Sequence, residues 1–219
     1  YSKMSAVLLQ AIKEQQEIID GQKDALHNYE DKLSTLSNQL KSEKNENESI
    51  KKLLESAVEQ TTITKGYDPA YVVLPYPNGD VPIETGVCSD VVIRAFRKVG
   101  IDLQKEIHED MSANFSSYPK KWGLKAADSN IDHRRVPNLQ TYFTRKGKAL
   151  PITDKGEDYK PGDVVAWDLD GKGMTHIGLV SNIWNEKTKR YGIIHNIGGG
   201  TQAEDRIFDW KIIGHYRYF

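Results

Sequence analysis

The sequence predicts an α+β domain that follows an N-terminal coiled-coil helix. Residues 1–60 contain no proline and a single glycine, Gly21, although the 219-residue chain has 8 prolines and 17 glycines. After this segment helix signals come first and strand signals come last, an order typical of an antiparallel sheet packed on helices. The only cysteine, Cys88, stands where the first of these later helices is predicted to begin.

The composition excludes several classes of function. A formal net charge of −1 gives no general attraction for nucleic acid or an anionic membrane, so neither is an expected partner. With one cysteine the chain cannot form an internal disulfide, a CxxC redox pair or a cysteine-rich zinc site. No apolar run approaches the roughly 18 to 20 residues that cross a bilayer. The chain starts at Tyr1 without a signal-peptide pattern, as a fragment or processed product would.

Residues 4–40 carry a heptad pattern. Its a positions are all aliphatic, and its d positions mix apolar with polar residues. The a positions are Ile12, Ile19, Leu26, Leu33 and Leu40, and the d positions are Leu8, Gln15, Gln22, Tyr29 and Leu36. So narrow a stripe suits partner helices and predicts a homo-oligomer. Isoleucine at a, with Gln15 and Gln22 at d, suits a trimer or register-fixing polar layers better than an optimised dimer, and the trimer is favoured. The alternative is one amphipathic helix that lies on its own domain.

Residues 41–49 lose the heptad and predict a solvated helix end or a linker. The chain is therefore divided into a stalk and linker over 1–48 and a compact domain over 49–219. Within the compact domain, apolar spacing predicts four helices, and runs rich in Val, Ile, Trp and Tyr predict four strands. The predicted helices cover 50–60, 87–99, 103–115 and 137–145. The predicted strands cover 163–169, 175–184, 190–196 and 210–218.

Cys88 is the first candidate for chemistry. It stands in the first turn of the predicted helix 87–99, where backbone N–H groups and the helix dipole favour a thiolate. A nucleophilic cysteine needs such an environment. The alternative is that Cys88 is a small buried hydrophobic residue, the commoner role of a single cysteine.

Two histidines on neighbouring predicted strands could serve the cysteine. His176 opens one strand and His195 closes the next, so antiparallel pairing of the two strands brings their imidazoles together. A nucleophile at a helix start, a base on a strand and an orienting group on the next strand make up a Cys-His-polar triad. Asn196 is the alternative third member, because a shift of one residue in register exchanges the side chain that faces inward.

The compact domain resembles a known family along nearly its whole length. Four blocks carry the resemblance: YDPAYVVLPYPNGDVP, TGVCSDVVIRAFRKVGIDLQKEIHEDM, IDHRRVPNLQTYF and HIGLVSNIW…HNIGGGTQAEDRIFDWKIIGHYRY. On these residues 49–219 is identified as a member of a bacterial domain-of-unknown-function family, number twelve-eighty-seven. That family in turn resembles the NlpC-type branch of papain-like cysteine peptidases, which cleave peptide or amide bonds in bacterial cell walls.

The NlpC-type resemblance implies a papain-like fold with a Cys-His-His triad. In that branch the cysteine opens a helix, the base begins the second core strand and a polar residue lies on the third, the order in which Cys88, His176 and His195 occur. Tyr76 stands upstream of the cysteine, where some of these enzymes place a helping tyrosine, and Asp90 is a further supporting candidate. The residue before the cysteine departs from the pattern, because these enzymes usually carry aspartate there.

A polar block ahead of the predicted helix 137–145 is the candidate for substrate binding. The block consists of Asp132, His133, Arg134 and Arg135. Arginine in a groove clamps a carboxylate in bidentate fashion, so the block could hold an acidic group of the substrate. The same residues could equally form an internal salt-bridge network that ties the helix down.

The resulting hypothesis is a peptidoglycan amidase or endopeptidase carried on an oligomeric stalk. The opening residues also resemble the helix after the endosialidase-type chaperone domain of phage-tail and surface fibres. Together these features suit a delivered effector or a tail-associated lysin, with a phage-tail-like particle or secretion apparatus as partner and an extracytoplasmic place of action. The alternatives are a wall-binding or adhesin module without catalysis and an enzyme acting on another amide or thioester.

A metal-dependent amidase is the competing enzymatic interpretation. His176, His195 and His215 could in principle bind zinc and leave one position open. The cysteine mechanism, by contrast, needs no cofactor, and none is expected.

Overall fold

The computed structural model describes residues 2–219 and divides into two units, which join after Asn47. Helix α1 runs over Ser2–Ile63. The loss of the heptad after Leu40 therefore does not end the helix. Residues 41–49 contain neither proline nor glycine and are rich in Lys and Glu, so they sustain a helical backbone.

The heptad residues of the first unit are exposed in the single chain. Their exposed fractions range from 43% at Ile19 to 68% at Leu40. Along the described residues no helix combines the length and the apolar character that a bilayer crossing needs. The stripe in 4–40 is thus an apolar surface that this unit does not cover itself.

The second unit, Glu48–Phe219, is an α+β domain, which confirms the predicted fold class. Its three further α-helices are α2 (Cys88–Lys98), α3 (Leu103–Ala113) and α4 (Val136–Arg145). Its strands are β1 (Val164–Asp168), β2 (Thr175–Asn185), β3 (Arg190–Asn196), β4 (Thr201–Glu204) and β5 (Lys211–Tyr216). Strand β4 has four residues and was not predicted from the sequence.

The five strands form one antiparallel sheet in the order β4-β3-β2-β1-β5. Helix α2 packs on β2 and β3. The face towards α2 contributes apolar side chains to a core that also includes residues from the end of α1, α3 and α4. The strand members are Val164, Ala166, Ile177, Leu179, Ile194 and Tyr216. The opposite face has its own cluster, formed by Tyr159, Val165, Trp167, Val180, Ile193 and Ile207.

Helix α2 is fixed at its start and along its inner side. The Asp90 carboxylate accepts a hydrogen bond from the backbone N–H of Val87 at 2.7 Å, which caps the first turn. Val92 and Phe96 are fully buried farther along the helix. Each such side chain contributes about 1.5–3 kcal/mol of hydrophobic free energy. The start of α2, and with it Cys88, is therefore held firmly against the sheet.

Candidate active site

Cys88 lies in the first turn of α2 and faces the beginning of β2. Its thiol is in hydrogen-bonding contact with the backbone of Ile177, and the backbone of Cys88 and Ser89 also acts on the sulfur. Only 6% of the residue is exposed. Ile177 directly follows His176, so the thiol lies at the peptide group that joins the predicted base to its neighbour.

The thiol is protonated at neutral pH, in contrast to the thiolate that its position at a helix start predicted. Burial, with a smaller contribution from the Asp90 carboxylate, raises the pKa of the Cys88 thiol to about 11. The backbone contacts of Ile177, Ser89 and Cys88 lower the pKa, but they do not outweigh the loss of water around the sulfur. Position on a helix is visible in a sequence, whereas the depth of burial is not.

Asp90 and Arg134 form a buried ion pair behind the cysteine. The carboxylate accepts two hydrogen bonds of 2.9 Å from the guanidinium, and both side chains are at most 4% exposed. Ser89 donates a hydrogen bond from its hydroxyl to the backbone carbonyl of Arg134 at 2.7 Å. As a carboxylate, Asp90 cannot donate a hydrogen bond to an oxyanion. Its place in the site is structural, because it holds the turn that carries Cys88.

The two predicted histidines are in direct contact. Nε2 of His176 lies 2.8 Å from Nδ1 of His195, and both residues are buried. The ring of His176 packs against Trp167 and Trp210, with centroid distances of 5.7 and 6.0 Å. Burial, with a smaller contribution from His195, lowers the pKa of His176 to about 3. The predicted base and the predicted nucleophile are therefore both uncharged at neutral pH.

Gly178 permits the close approach of the two histidine strands. A Cβ atom at this position would lie 2.8 Å from the carbonyl oxygen of Ile194 and 3.0 Å from the Cβ of His195. Any larger residue would push β3 away from β2 at the point where the imidazoles meet.

Alternation along β2 divides the site between the two faces of the sheet. Ile177 packs towards α2 and Cys88, whereas the ring of His176 packs on Trp167 of the other face. The structure thus brings His176 and His195 into contact and brings Cys88 to the backbone next to His176.

Asn196, the alternative third member of the triad, is occupied elsewhere. Its side-chain amide donates hydrogen bonds of 3.1 Å to the backbone carbonyls of Gly66 and Gly86. The register of β3 therefore turns His195 towards His176 and directs Asn196 to both ends of the segment that joins α1 to α2.

A cavity of about 540 Å³ opens beside Cys88. Its lining includes Cys88, Thr175, Tyr67, Tyr71, Trp122 and Arg135. Burial raises the pKa of Tyr67, and the nearby Cys88 contributes to the increase. Tyr76, the tyrosine named from the sequence, packs edge-on against His108 at 5.1 Å instead. The tyrosine beside the cysteine is Tyr67. It was not predicted, because it lies in an irregular Pro-rich loop that has no periodic pattern.

The polar block 132–135 consists of three buried residues and one half-buried residue, Arg135. Asp132, His133 and Arg134 are all buried, and burial lowers the pKa of His133 to about 4. Arg135 reaches the cavity, where its guanidinium lies 4.2 Å from the ring centre of Trp122. One of its nitrogens also lies 3.3 Å from Asp132. The block is thus mainly a structural network. Both Arg134 and Arg135 line the cavity, and Arg135 is the less buried of the two.

His215 does not join the other two sheet histidines. Its Nε2 lies 2.8 Å from a carboxylate oxygen of Asp163, and its Nδ1 lies 3.2 Å from the carbonyl oxygen of Pro151. Both ring nitrogens are engaged, so none is left to share a metal with His176 and His195. Residues 2–219 contain no group of three or more His, Cys, Asp or Glu side chains arranged to hold a metal ion.

Sequence reasoning missed the carboxylate that contacts His195. Glu204 on β4 places a carboxylate oxygen 3.0 Å from Nε2 of His195. Its strand is only four residues long and follows three glycines, so no periodic pattern marked it.

Comparison with known proteins assigns the compact domain to a family. The protein YijF of Escherichia coli (strain K12), described as uncharacterized, is 55% identical over 167 residues, which cover 76% of this chain and 80% of YijF. The structure of NlpC1 from Trichomonas vaginalis aligns with 74% of this chain at 12% identity and a TM-score of 0.38, and the alignment spans 42% of NlpC1. The model of the DUF1287 family, a domain of unknown function, matches residues 54–218. The family resemblance predicted from the sequence is thus confirmed, and the chain belongs to the DUF1287 family.

Proposed function

We propose that this protein is a cysteine amidase or endopeptidase that cleaves an amide bond of bacterial peptidoglycan. The observation that carries the proposal is the placement of Cys88 in the first turn of α2, against the backbone of Ile177, the residue that directly follows His176, whose imidazole is held by His195. A thiol, a base and an orienting group in this order are the parts of a Cys-His hydrolase.

The nitrogens of His176 divide into one that is held and one that reacts. Nε2 is occupied by His195 at 2.8 Å, so Nδ1 is the nitrogen that serves the thiol. The Cys88 proton passes to Nδ1 as the sulfur attacks the carbonyl carbon of the amide. The C–N bond then breaks, and the amine leaves with the proton that His176 had taken. Water attacks the thioester and gives a proton to His176; the C–S bond breaks, the carboxylic acid leaves, and the proton returns to the sulfur.

Starting from an uncharged pair, this mechanism needs stabilisation of the negative oxygen that forms during attack. The backbone N–H of Cys88 at the start of α2 is one donor, and helix N-termini favour negative charge. The Tyr67 hydroxyl, which lines the same cavity, is the second donor in this proposal.

The proposed setting follows from the substrate and the stalk. Peptidoglycan lies outside the cytoplasm, so the enzyme acts extracytoplasmically, as a delivered effector or a tail-associated lysin. The exposed apolar stripe of 4–40 supports assembly with further copies of the chain. A phage-tail-like or secretion apparatus is the proposed carrier.

The test is digestion of purified sacculi followed by mass spectrometry of the released fragments. We expect the wild-type protein to create new amine and carboxyl ends, and Cys88→Ala to create none while it still sediments with the sacculi. Wild-type protein that sediments with sacculi without creating new ends would favour a wall-binding module. Full activity of Cys88→Ala would refute the cysteine mechanism.

Arg135 is proposed to bind a carboxylate of the peptide substrate. Loss of one hydrogen bond to a charged group costs about 1.5–3 kcal/mol, or roughly 10- to 100-fold in affinity. We therefore expect Arg135→Gln to raise KM by roughly 10- to 100-fold and to leave kcat nearly unchanged. The matched control is Arg145→Gln, which removes an arginine paired with Asp110 that does not line the Cys88 cavity. An unchanged KM in Arg135→Gln would remove Arg135 from the binding site.

A further inference from the structure

We infer that Glu204 is a positioning residue that fixes which nitrogen of His195, and through it which nitrogen of His176, carries the proton. This inference rests on the proposed Cys88–His176 chemistry. It extends the proposed site by a fourth residue, on strand β4, which carries none of the other three.

The three side chains form a linear hydrogen-bonded series. The Glu204 carboxylate lies 3.0 Å from Nε2 of His195, and Nδ1 of His195 lies 2.8 Å from Nε2 of His176. His195, in the middle of the series, is fully buried. Glu204, at its outer end, has a side chain that is 32% exposed. Arg206 lies 3.9 Å from the same carboxylate oxygen.

The chemistry of each group fixes the position of the next proton. A carboxylate only accepts hydrogen bonds, so Nε2 of His195 must carry a proton in order to bind Glu204. A neutral imidazole has one N–H, so Nδ1 of His195 is an acceptor, and Nε2 of His176 must donate to it. The remaining nitrogen of His176, Nδ1, then has a free lone pair.

That lone pair is what a general base for Cys88 requires. Without Glu204, His195 could carry its proton on either nitrogen. In the opposite tautomer His195 would donate to His176, and the single proton of His176 would then lie on Nδ1, which could not accept the thiol proton. The Glu204 carboxylate also stabilises the positive charge that the two imidazoles share once the thiol proton has been taken.

The test combines kinetics with ¹⁵N NMR of the imidazoles. We expect Glu204→Leu to lower kcat by about 10- to 100-fold, the usual effect of losing an outer partner of an oriented imidazole, with KM unchanged. We also expect ¹⁵N shifts to show Nε2-protonated His195 and His176 in the wild type and mixed tautomers in Glu204→Leu. Glu204→Gln can still accept the hydrogen bond through its amide oxygen, and we expect it to recover part of the activity.

Asp209→Asn is the matched control. The Asp209 carboxylate binds Arg206 at 2.7 Å and makes no hydrogen bond to either histidine, and this variant removes its charge. We expect it to keep wild-type tautomers and wild-type kcat. Unchanged tautomers in both Glu204 variants would overturn the inference, as would a folded Glu204→Leu with wild-type kcat. The NMR measurement needs no turnover, so the two claims can fail separately. Altered tautomers in Glu204→Leu would support the positioning role of Glu204, and full activity of Cys88→Ala would reject Cys88 as the nucleophile.

Discussion

Replacing His176 with alanine is expected to lower kcat/KM on sacculus peptides by about 100- to 10,000-fold, the range that general acid–base catalysis contributes. The reason is that Cys88 holds its proton firmly. With its pKa raised to about 11, the thiol needs a base at the moment of attack, and His176 is the residue next to the backbone that the sulfur touches. Rates measured on a soluble muropeptide, with saturation curves for each variant, check this expectation.

His215→Ala is the matched control for His176→Ala. Both histidines are buried in the sheet, but His215 binds Asp163. Asp163 also holds Arg217, so the control variant keeps one charged partner for the carboxylate. We expect both variants to lose thermal stability and only His176→Ala to lose turnover beyond its loss of folded protein. Equal loss of kcat/KM in the two folded variants would show that His176 is merely structural.

The stability of the protein against acid gives a second measure of His176. Its pKa is lowered from 6.5 to about 3 in the folded state, so the unfolded chain binds the proton first as the pH falls. The contribution of uncharged His176 to the free energy of unfolding is fully present above pH 6.5, and it is lost as the pH falls from 6.5 towards 3. The lowered pKa of His133 adds to the same loss. In His176→Ala the free energy of unfolding should therefore depend less steeply on pH in this range, but some dependence should remain.

The elements of the compact domain could be predicted because each carries a local signal. Helix α2 shows an apolar face and begins one residue after the predicted start at 87, and β3 matches its predicted limits of 190 and 196. The contact of His176 with His195 could be foreseen from the hairpin between their strands. The choice between His195 and Asn196 could not, because it depends on a register of one residue.

The parts of the site that were not predicted depend on tertiary packing. The protonated thiol of Cys88 follows from burial beneath β2, which overrides the helix dipole that the sequence suggests. Tyr67 reaches the cavity through a loop without periodic structure, so spacing from the cysteine did not identify it. The contact of Glu204 was not predicted, because it depends on the pairing of the short strand β4 with β3. This pairing places the Glu204 carboxylate beside His195. Asp90 changes from a possible catalytic group to the buried partner of Arg134.

The stalk carries the second large effect that we expect. The full chain should sediment at three times its mass of 24.8 kDa, because the aliphatic a positions of 4–40 need partner helices to leave water. Leu33→Asp should convert the assembly to single chains. The leucine, which is 67% exposed in the single chain, would give up about 1.5–3 kcal/mol of burial per copy, and three carboxylates would meet in one layer. Analytical ultracentrifugation over a range of concentrations measures both results.

Asn38→Asp is the control that separates the stripe from simple charge. Asn38 stands at the f position of the same heptad as Leu33, so its variant adds an identical charge on the side that faces away from partner helices. It should keep the wild-type mass. A monomeric wild-type chain would favour an amphipathic helix lying on its own domain. Equal dissociation of both variants would show that repulsion between the added charges, and not loss of the apolar stripe, separates the chains.

Since Cys88, His176, His195 and Glu204 all lie in the second unit, turnover per chain on a soluble muropeptide should be the same for the assembled and the dissociated protein.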